Sequence, residues 1–281
     1  IMGLLTDKVA VITGGISGLG RASALRYAAE GASVVVADIN AERGKNAAEE
    51  MSAGGASIEF VQVDVTCEAS QQALFTDVVA RHGRVDTVLA AAGVSSSDYI
   101  SGEVSEIEAD PEERMFHNRM LEDWEKVMAV NVTGVMLTNK IAITHMLAQQ
   151  TKGTIVNIAS IAGRRPLPGA SDYCVSKAAV IMLTSTVATE YSTSNVRVNA
   201  IGPGFIETPM TANIRQSPEW METVMQMTPM QRMGQAGEIA STALFLASDE
   251  SSYFNGQTLF PGGGMYAVSY THLRAHETSQ H

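Results

Sequence analysis

The chain has 281 residues, of which 45% are hydrophobic and 17% charged, a composition that can bury a sizeable core. Its formal net charge of −11 argues against a nucleic-acid partner, because nucleic acids bind basic faces. We expect no membrane segment, since no apolar run reaches the roughly 18–20 residues that cross a bilayer. The two cysteines, Cys67 and Cys174, predict no disulfide framework, and a reducing cytoplasm is the expected location.

The first predicted strand leads into a glycine-rich segment. The apolar run at 8–13 is followed by TGGISGLG at 13–20 and then by a helical pattern. This is the usual setting of a phosphate-binding turn, in which Gly14 permits the tight turn, Gly18 leaves room for a pyrophosphate and Gly20 lets the helix pack closely on the strand. The free N–H groups of the helix would favour the same anion. A glycine-rich loop without a ligand is the alternative.

The next predicted strand ends in an acidic residue that bears on the choice of dinucleotide. The preceding helix is expected to turn Ala24, Leu25, Ala28 and Ala29 inward. Asp38 then lies about 18 residues past Gly20, where a carboxylate suits hydrogen bonds to the adenosine ribose hydroxyls. Because that carboxylate would repel a 2′-phosphate, Asp38 favours NAD over NADP. Asp38 could instead only cap the helix predicted at 40–52, and the two roles are compatible.

Strand and helix patterns alternate along the rest of the chain. Continuous Val-rich runs of this kind are typical of a parallel sheet that helices cover on both faces. The sequence therefore predicts an α/β protein. The later strands are predicted at 57–65, 85–93, 153–159 and 195–210, with the last within 256–264.

Asn131 lies inside a long helix predicted at 121–150. Asparagine is a poor mid-helix residue because its side chain competes for backbone groups, so it marks a local kink or a site.

Residues 95–120 are acidic and lack periodicity, which predicts a surface insertion near the site entrance. Residues 268–281 are expected to form a disordered, non-native tail. Its His272 and His276 lack a third ligand, so we predict no metal site.

Residues 205–233 are rich in methionine, a flexible side chain that is used at adaptable binding surfaces. We interpret this segment as a helical lid over an apolar substrate, and ordinary helix packing explains it equally well. The residues concerned are Met210, Met221, Met225, Met227, Met230 and Met233, with Phe205 and Trp220.

A hydroxyl, a phenol and an amine follow the strand predicted at 153–159. Ser160 stands at its carboxyl end, Tyr173 comes thirteen residues later, and Lys177 follows after four more. Positions four apart share one face of a helix, so the ammonium is expected to stabilise the phenolate and lower the pKa of Tyr173. Ser160 would hold the oxygen on which Tyr173 acts. The alternative is an ordinary amphipathic helix beside a turn serine.

Together these motifs resemble the short-chain dehydrogenase/reductase family over about residues 7–266. The resemblance is carried by TGGISGLG, Asp38, Asn131, Ser160, Tyr173, Lys177 and the pair Pro203-Gly204. It implies a single Rossmann-type, doubly wound parallel sheet of seven strands within residues 1–267, with helices on both faces. It also implies a nicotinamide cofactor along the carboxyl edge of the sheet, and a homotetramer built from the long helices and the final strand.

The same resemblance assigns roles to individual residues. Tyr173 would give or take the proton, Lys177 would activate the phenol and bind the nicotinamide ribose, and Ser160 would orient the carbonyl. Asn131 would hold a water that relays protons from Lys177, and Thr208 would fix the carboxamide. The expected cofactor-binding residues are Gly14, Ser17, Gly18, Leu19, Gly20, Asp38, Asp64, Val65, Ala91, Gly93, Tyr173, Lys177, Pro203, Gly204, Ile206 and Thr208.

One departure from the family pattern follows the fourth predicted strand. The family usually has Asn-Asn-Ala-Gly, and this chain has Ala90-Ala91-Ala92-Gly93. The lost amides normally brace the central strands and the edge of the cofactor. We therefore expect somewhat lower stability or weaker cofactor affinity, with the chemistry retained.

The sequence thus predicts an NAD(H)-dependent dehydrogenase that acts on a small secondary alcohol or ketone, apolar or cyclic. Hydride would pass between the substrate carbon and the nicotinamide while Tyr173 moves the hydroxyl proton. A catalytically silent dinucleotide-binding protein, used for sensing or interaction, is the rival. The presence of Ser160, Tyr173 and Lys177 argues against that rival, because a sensor could discard them.

Overall fold

The computed structural model describes residues 3–96, 112 and 114–266. The strands are β1 (Val9–Thr13), β2 (Ser33–Asp38), β3 (Ile58–Gln62), β4 (Thr87–Ala90), β5 (Gly153–Ile158), β6 (Val196–Ile201), β7 (Ile206–Glu207), β8 (Gly234–Gln235) and β9 (Thr258–Leu259). The helices are α1 (Gly18–Ala29), α2 (Ala41–Ser52), α3 (Glu68–His82), α4 (Leu121–Met128), α5 (Val135–Gln149), α6 (Ser171–Glu190), α7 (Ala212–Gln216), α8 (Pro218–Met227) and α9 (Ala236–Ala247). The predicted tail and most of the predicted insertion lie outside the described residues, so both stay predictions.

Seven of the strands form one parallel sheet in the order β3-β2-β1-β4-β5-β6-β9. This confirms the predicted fold class. The strand order reverses between β1 and β4, and ligands of such sheets bind at this switch point, outside the carboxyl ends of the strands. A second, two-stranded sheet of β7 and β8 was not predicted, because strands of two residues carry no periodic signal.

Helices cover both faces of the sheet. Ala10 and Ile12 of β1 belong to a buried cluster with side chains of α1, α2 and α9. Val9 and Val11 point the other way and pack with side chains of α3, α5 and α6. Successive strand residues face opposite sides of a sheet, which is why a continuous apolar run suits a strand covered twice.

Helix α1 buries only part of the face that the sequence predicts, since Ala24 and Ala28 face the core and Leu25 and Ala29 do not. Ser23, Ala24 and Tyr27 are buried, whereas Leu25 is 42% exposed and Ala29 is also exposed. Tyr27 is fully buried because its hydroxyl donates a hydrogen bond of 3.0 Å to the backbone carbonyl of Ala243 on α9. The sequence pattern thus favoured an aliphatic side chain, whereas the helix buries a longer one whose polar tip finds a partner on α9.

The long helix predicted at 121–150 is interrupted at Asn131, as its sequence suggested. A π-helical turn, Ala129–Gly134, separates α4 from α5.

The stretch Leu121–Gln149 is long and apolar enough to cross a membrane, with a mean hydropathy of 1.3 over its most apolar window. Since 56% of that window is buried inside the protein, its composition is that of an interior helix.

A buried polar group ties the two helices behind the site to the centre of the sheet. Asn157 of β5 exchanges hydrogen bonds with Asn139 of α5, at 2.8 and 3.1 Å, and donates one of 3.0 Å to Thr184 of α6. All three side chains are 1% exposed or less. Because buried polar groups are costly when unpaired, these bonds fix how α5 and α6 sit on β5.

We therefore expect Asn157→Ala to lower the free energy of unfolding by about 1–3 kcal/mol, since it removes the bonds that link Asn139 and Thr184 to β5 and leaves them only bonds within their own helices, to the carbonyls of Val135 and Val180. Urea unfolding measures the change, with the m-value unaltered. Thr223→Ala is the control, because Thr223 is exposed and bonds only within α8, to the carbonyl of Glu219. Equal midpoints for Asn157→Ala and the control would contradict the assigned role.

Candidate active site

The glycine-rich turn between β1 and α1 has the close packing that a phosphate-binding turn needs. Gly14 and Gly18 have positive φ angles of 64° and 50°. A side chain at Gly20 would put its Cβ 2.1 Å from the carbonyl oxygen of Gly14. Gly20 is therefore required by the turn itself, rather than by the strand as we had expected. The side chain of Ser17 does not cap α1, and the first N–H groups of a helix without such a cap suit an anion.

Asp38 lies at the end of β2, 5% exposed, and lines the same cleft as the glycine-rich turn. It does not cap α2. The residue that caps α2 is Asn40, whose side chain accepts a hydrogen bond of 3.0 Å from the backbone N–H of Arg43. The alternative in which Asp38 serves only as a helix cap is therefore wrong. Asp64, after β3, also lines the cleft, and its Oδ1 accepts bonds from the backbone and hydroxyl of Thr66 at 2.9 and 2.7 Å.

The hydroxyl, phenol and amine predicted from the sequence meet in the wall of this cleft. Ser160 follows β5, and Tyr173 and Lys177 lie on successive turns of α6. The side chain of Ser160 lies near enough to the Tyr173 phenol to act on its pKa. The Lys177 Nζ donates a bond of 2.9 Å to the carbonyl of Ile158 and lies 5.7 Å from the centre of the Tyr173 ring. Helical spacing of four thus places the amine beside the phenol, as expected.

The pKa of Tyr173 is shifted in the direction opposite to our expectation. Burial raises it, the side chain of Ser160 lowers it in part, and Cys174 raises it further. Burial also lowers the pKa of Lys177 from 10.5 to about 8. The attraction between phenolate and ammonium favours both charged forms, but the loss of hydration in the interior disfavours both and has the larger effect here.

Asn131 does not line the cleft and lies behind it, fully buried. Its Oδ1 accepts a bond of 2.8 Å from the backbone N–H of Val94, and its Nδ2 donates to the Val94 carbonyl at 2.9 Å and to the Ser176 hydroxyl at 3.0 Å. The side chain thereby joins the segment after β4 to α6. The relay of protons through a water at Asn131 stays a prediction.

The run Ala90-Ala91-Ala92-Gly93 divides between the core and the cleft. Ala90 is 1% exposed and packs in an apolar cluster that includes Val180. Ala91, Ala92 and Gly93 line the cleft. A side chain at Gly93 would bring its Cβ within 3.3 Å of the Lys177 Nζ, so the glycine makes room for the amine.

The loop after β6 forms the opposite wall. Pro203, Gly204, Ile206 and Thr208 all line the cleft. A Cβ at Gly18 would lie 3.6 Å from the Thr208 Cβ, so this loop passes directly over the glycine-rich turn. The two walls enclose about 500 Å³.

Every residue that we predicted to bind the cofactor lies in the wall of this one cleft. No sequence pattern indicates Lys126 and Val130, which reach the wall from α4 and the π-helical turn. Met210 was expected near the substrate as part of the methionine-rich segment. The remaining lining residues were missed although they neighbour predicted ones. They are Ile39, Val63, Thr66, Ala92, Val94, Ile158, Ala159, Pro209 and Thr211.

The methionine-rich segment does not behave as one unit. Met210 lines the cleft, Met233 is 3% exposed in the interior, and Met230 is 60% exposed. Trp220 on α8 is 54% exposed. The segment therefore combines a cleft contact with ordinary packing, and the lid over a substrate stays a prediction.

A parallel sheet with a glycine-rich turn at its switch point defines a Rossmann-type fold. The sequence profile of a family described as Enoyl-(Acyl carrier protein) reductase matches residues 14–266. The 2,5-dichloro-2,5-cyclohexadiene-1,4-diol dehydrogenase LinX of Sphingobium indicum is 38% identical over 260 residues, 92% of this chain and 96% of that protein. The 3-oxoacyl-[acyl-carrier-protein] reductase FabG of Thermotoga maritima is 36% identical over 261 residues, 93% and 98% of the two chains.

Among solved structures, a gluconate 5-dehydrogenase from Burkholderia cenocepacia in complex with NADP and tartrate superposes with a TM-score of 0.83. It is 29% identical, and the match covers 94% of this chain and 97% of that one. The chain therefore belongs to the short-chain dehydrogenase/reductase family. It is an oxidoreductase of the CH–OH type, from a family that binds nicotinamide dinucleotides.

The lowered pKa of Lys177 predicts how stability depends on pH. Between pH 8 and 10.5 the unfolded chain keeps a proton on this amine that the folded protein has lost, so folding is favoured increasingly as the pH rises. Relative to Lys177→Met, the wild-type protein should gain up to ~3 kcal/mol of unfolding free energy over that range. Urea unfolding at several pH values measures the difference.

The matched control for that experiment is Lys140→Met, because the side chain of Lys140 is 58% exposed. Its difference from wild type should stay level across the same pH range. A level difference for Lys177→Met as well would show that the amine is not desolvated.

Proposed function

We propose that the chain is an NAD(H)-dependent oxidoreductase that interconverts a small secondary alcohol and its ketone. The observation that carries the proposal is the meeting of Ser160, Tyr173 and Lys177 in a cleft that also receives the glycine-rich turn and Asp38. The dinucleotide fits on structural grounds, since Gly14 and Gly20 leave no room for side chains and α1 directs uncapped N–H groups at the turn. When bound, the nicotinamide supplies or accepts the hydride.

The protein's own contribution is to position the substrate oxygen and move a proton. Ser160 would donate a hydrogen bond to that oxygen, and Tyr173 would transfer the proton to or from it. A raised pKa keeps Tyr173 protonated near neutral pH, which suits a proton donor and therefore supports ketone reduction. Lys177, fixed on the Ile158 carbonyl, would bind the nicotinamide ribose with its remaining donors.

The pairing of the basic side chains in the cleft supports an apolar or cyclic substrate over an anionic one. Among the described residues that line it, the basic ones are Lys126 and Lys177. Lys177 is bonded to Ile158, and Lys126 lies 3.4 Å from the carboxylate of Glu122. Neither is placed as an unpaired cation for an anionic substrate, and Val94, Pro209 and Met210 add apolar surface. The name of the LinX relative refers to a cyclic diol, which agrees with this choice.

We also propose a homotetramer in the cytoplasm. Support comes from large apolar side chains exposed on the two long helices, Met136 and Leu147 on α5 and Val175 and Met182 on α6. β9 is an edge strand that pairs only with β6 among the described strands.

The reaction is tested with a panel of cyclic and aliphatic secondary alcohols, a polyol and a 3-hydroxyacyl thioester, following NAD⁺ reduction. Tyr173→Phe should bind NADH as the wild type does and lose at least ~100-fold in kcat, because the proton donor is gone. Tyr191→Phe, at the residue that follows the last turn of α6, is the control and should retain activity. Full turnover by Tyr173→Phe would contradict the proton role, and no turnover of any alcohol by the wild type would favour the silent dinucleotide-binding rival.

Cofactor choice is tested separately by titrating NADH and NADPH. The buried carboxylate of Asp38 should make NADH bind more tightly, and Asp38→Ser should shift the ratio of the two affinities toward NADPH by about tenfold or more. Glu42→Gln, an exposed carboxylate in the first turn of α2, is the control and should leave the ratio unchanged. Tighter NADPH binding by the wild-type protein would rule out this role of Asp38.

A further inference from the structure

The segment that enters α4 is held by arginines rather than by apolar side chains. Arg114 and Arg119 are partly buried, whereas the large apolar side chains around them are mostly in solvent. Apolar groups normally gain most by leaving water, so this order is the reverse of the usual one. The contacts of the two arginines therefore anchor the segment. The exposed side chains are Met115 at 47%, Phe116 at 72%, Met120 at 66% and Leu121 at 70%.

Both arginines contact the turn that leads into α6. The Arg119 Nη2 donates a hydrogen bond of 2.8 Å to the carbonyl of Gly169. Its Nη1 lies 3.5 Å from the Oδ2 of Asp172, and the two side chains are only 15% and 2% exposed. A side chain at Gly169 would put its Cβ 3.4 Å from the Cβ of Arg114, so Arg114 packs on the same turn.

Asp172 connects this ion pair to the next residue in the chain, Tyr173. Its Oδ1 accepts a hydrogen bond of 2.8 Å from the backbone N–H of Tyr173, in the first turn of α6. The Oδ2, which faces Arg119, has no hydrogen-bond partner in the described part of the chain. A buried carboxylate is costly unless a cation stands opposite, so Asp172 depends on Arg119.

We propose that Arg119 and Asp172 are positioning residues for Tyr173. Arg119 holds the Gly169 carbonyl and the Asp172 carboxylate together, and Asp172 holds the backbone of Tyr173. The pair thereby fixes the first turn of α6, and with it the distance between the Tyr173 hydroxyl and Ser160. The catalytic part of this inference rests on the proposed function, whereas the fixing of the turn does not.

The consequence for rate follows from the sensitivity of proton transfer to geometry. A reacting group displaced by about 1 Å can cost ~100-fold in rate, so a loosened first turn should cost about tenfold in kcat. Binding of the dinucleotide depends mainly on the glycine-rich turn and should be little changed. A pair that served stability alone would show the opposite pattern, with the folded enzyme fully active.

The test compares Arg119→Met, Asp172→Asn and the double variant. Each single variant leaves one unpaired group in the interior, so its thermal midpoint and its kcat should both fall. The double variant removes both charges, and its midpoint should recover toward that of the wild type. Its kcat should nevertheless stay about tenfold low, with the dissociation constant of NADH within about twofold of wild type. Recovery of kcat together with the midpoint would overturn the proposal.

Hydrogen exchange provides a readout that does not require turnover. Amides of residues 169–175 should exchange faster in the double variant, with the rest of α6 unchanged. Normal protection there would overturn the positioning role even if the wild-type protein turned over no alcohol. Faster exchange without any wild-type turnover would instead count against the proposed function alone.

Two further variants complete the design. Arg119→Lys keeps the charge and is the least disruptive change, yet a single ammonium cannot hold both Gly169 and Asp172, so kcat should fall severalfold. Wild-type kcat in Arg119→Lys would overturn the two-point contact. The control is Arg26→Met, which removes an exposed arginine bonded to Glu30 at 3.0 Å on α1 and should leave kcat and exchange unchanged.

Discussion

The buried amine of Lys177 needs a hydrogen-bond acceptor and free space, and the surrounding structure supplies both. An ammonium loses hydration inside a protein, and the carbonyl of Ile158, 2.9 Å away, replaces part of it. That carbonyl is available because β5 ends there, at the carboxyl edge of the sheet. Gly93 leaves the space into which the amine projects. The Lys177 nitrogen is thus surrounded by the end of β5, by Gly93 and by its own helix α6. Tyr173 lies one helical turn away on the same helix.

Helix α6 is held at three levels along its length. Arg119 faces Asp172 in the first turn, Ile158 accepts a bond from Lys177 in the second, and Asn157 bonds Thr184 further along. From Asp172 to Thr184 the helix rises by about 18 Å. A helix fixed over that distance cannot tilt at one end without breaking a buried polar contact at another. The phenol therefore keeps its place by contacts outside the cleft as well as inside it.

Much of this arrangement could be predicted, because it depends on local patterns. Continuous apolar runs located the strands, and the spacing of Ser160, Tyr173 and Lys177 located the site. What could not be predicted depends on contacts distant in sequence. Leu25 was given the inward position that belongs to Tyr27, because the partner of that phenol lies on α9. The direction of the Tyr173 pKa shift requires knowing how deeply its hydroxyl is buried, which spacing alone does not reveal.

The π-helical turn at Ala129–Gly134 has a consequence for how this region tolerates change in chain length. A π turn accommodates one residue more than an α-helical turn over about the same rotation around the axis. Removing a single residue here would therefore let the π turn become an ordinary α-helical turn, with α4 and α5 facing nearly as before. Lys126 would keep its place in the cleft wall, whereas the backbone around Asn131 would be reshaped and its bonds to Val94 and Ser176 lost. The extra residue thus serves the placement of Asn131 more than the orientation of the two helices.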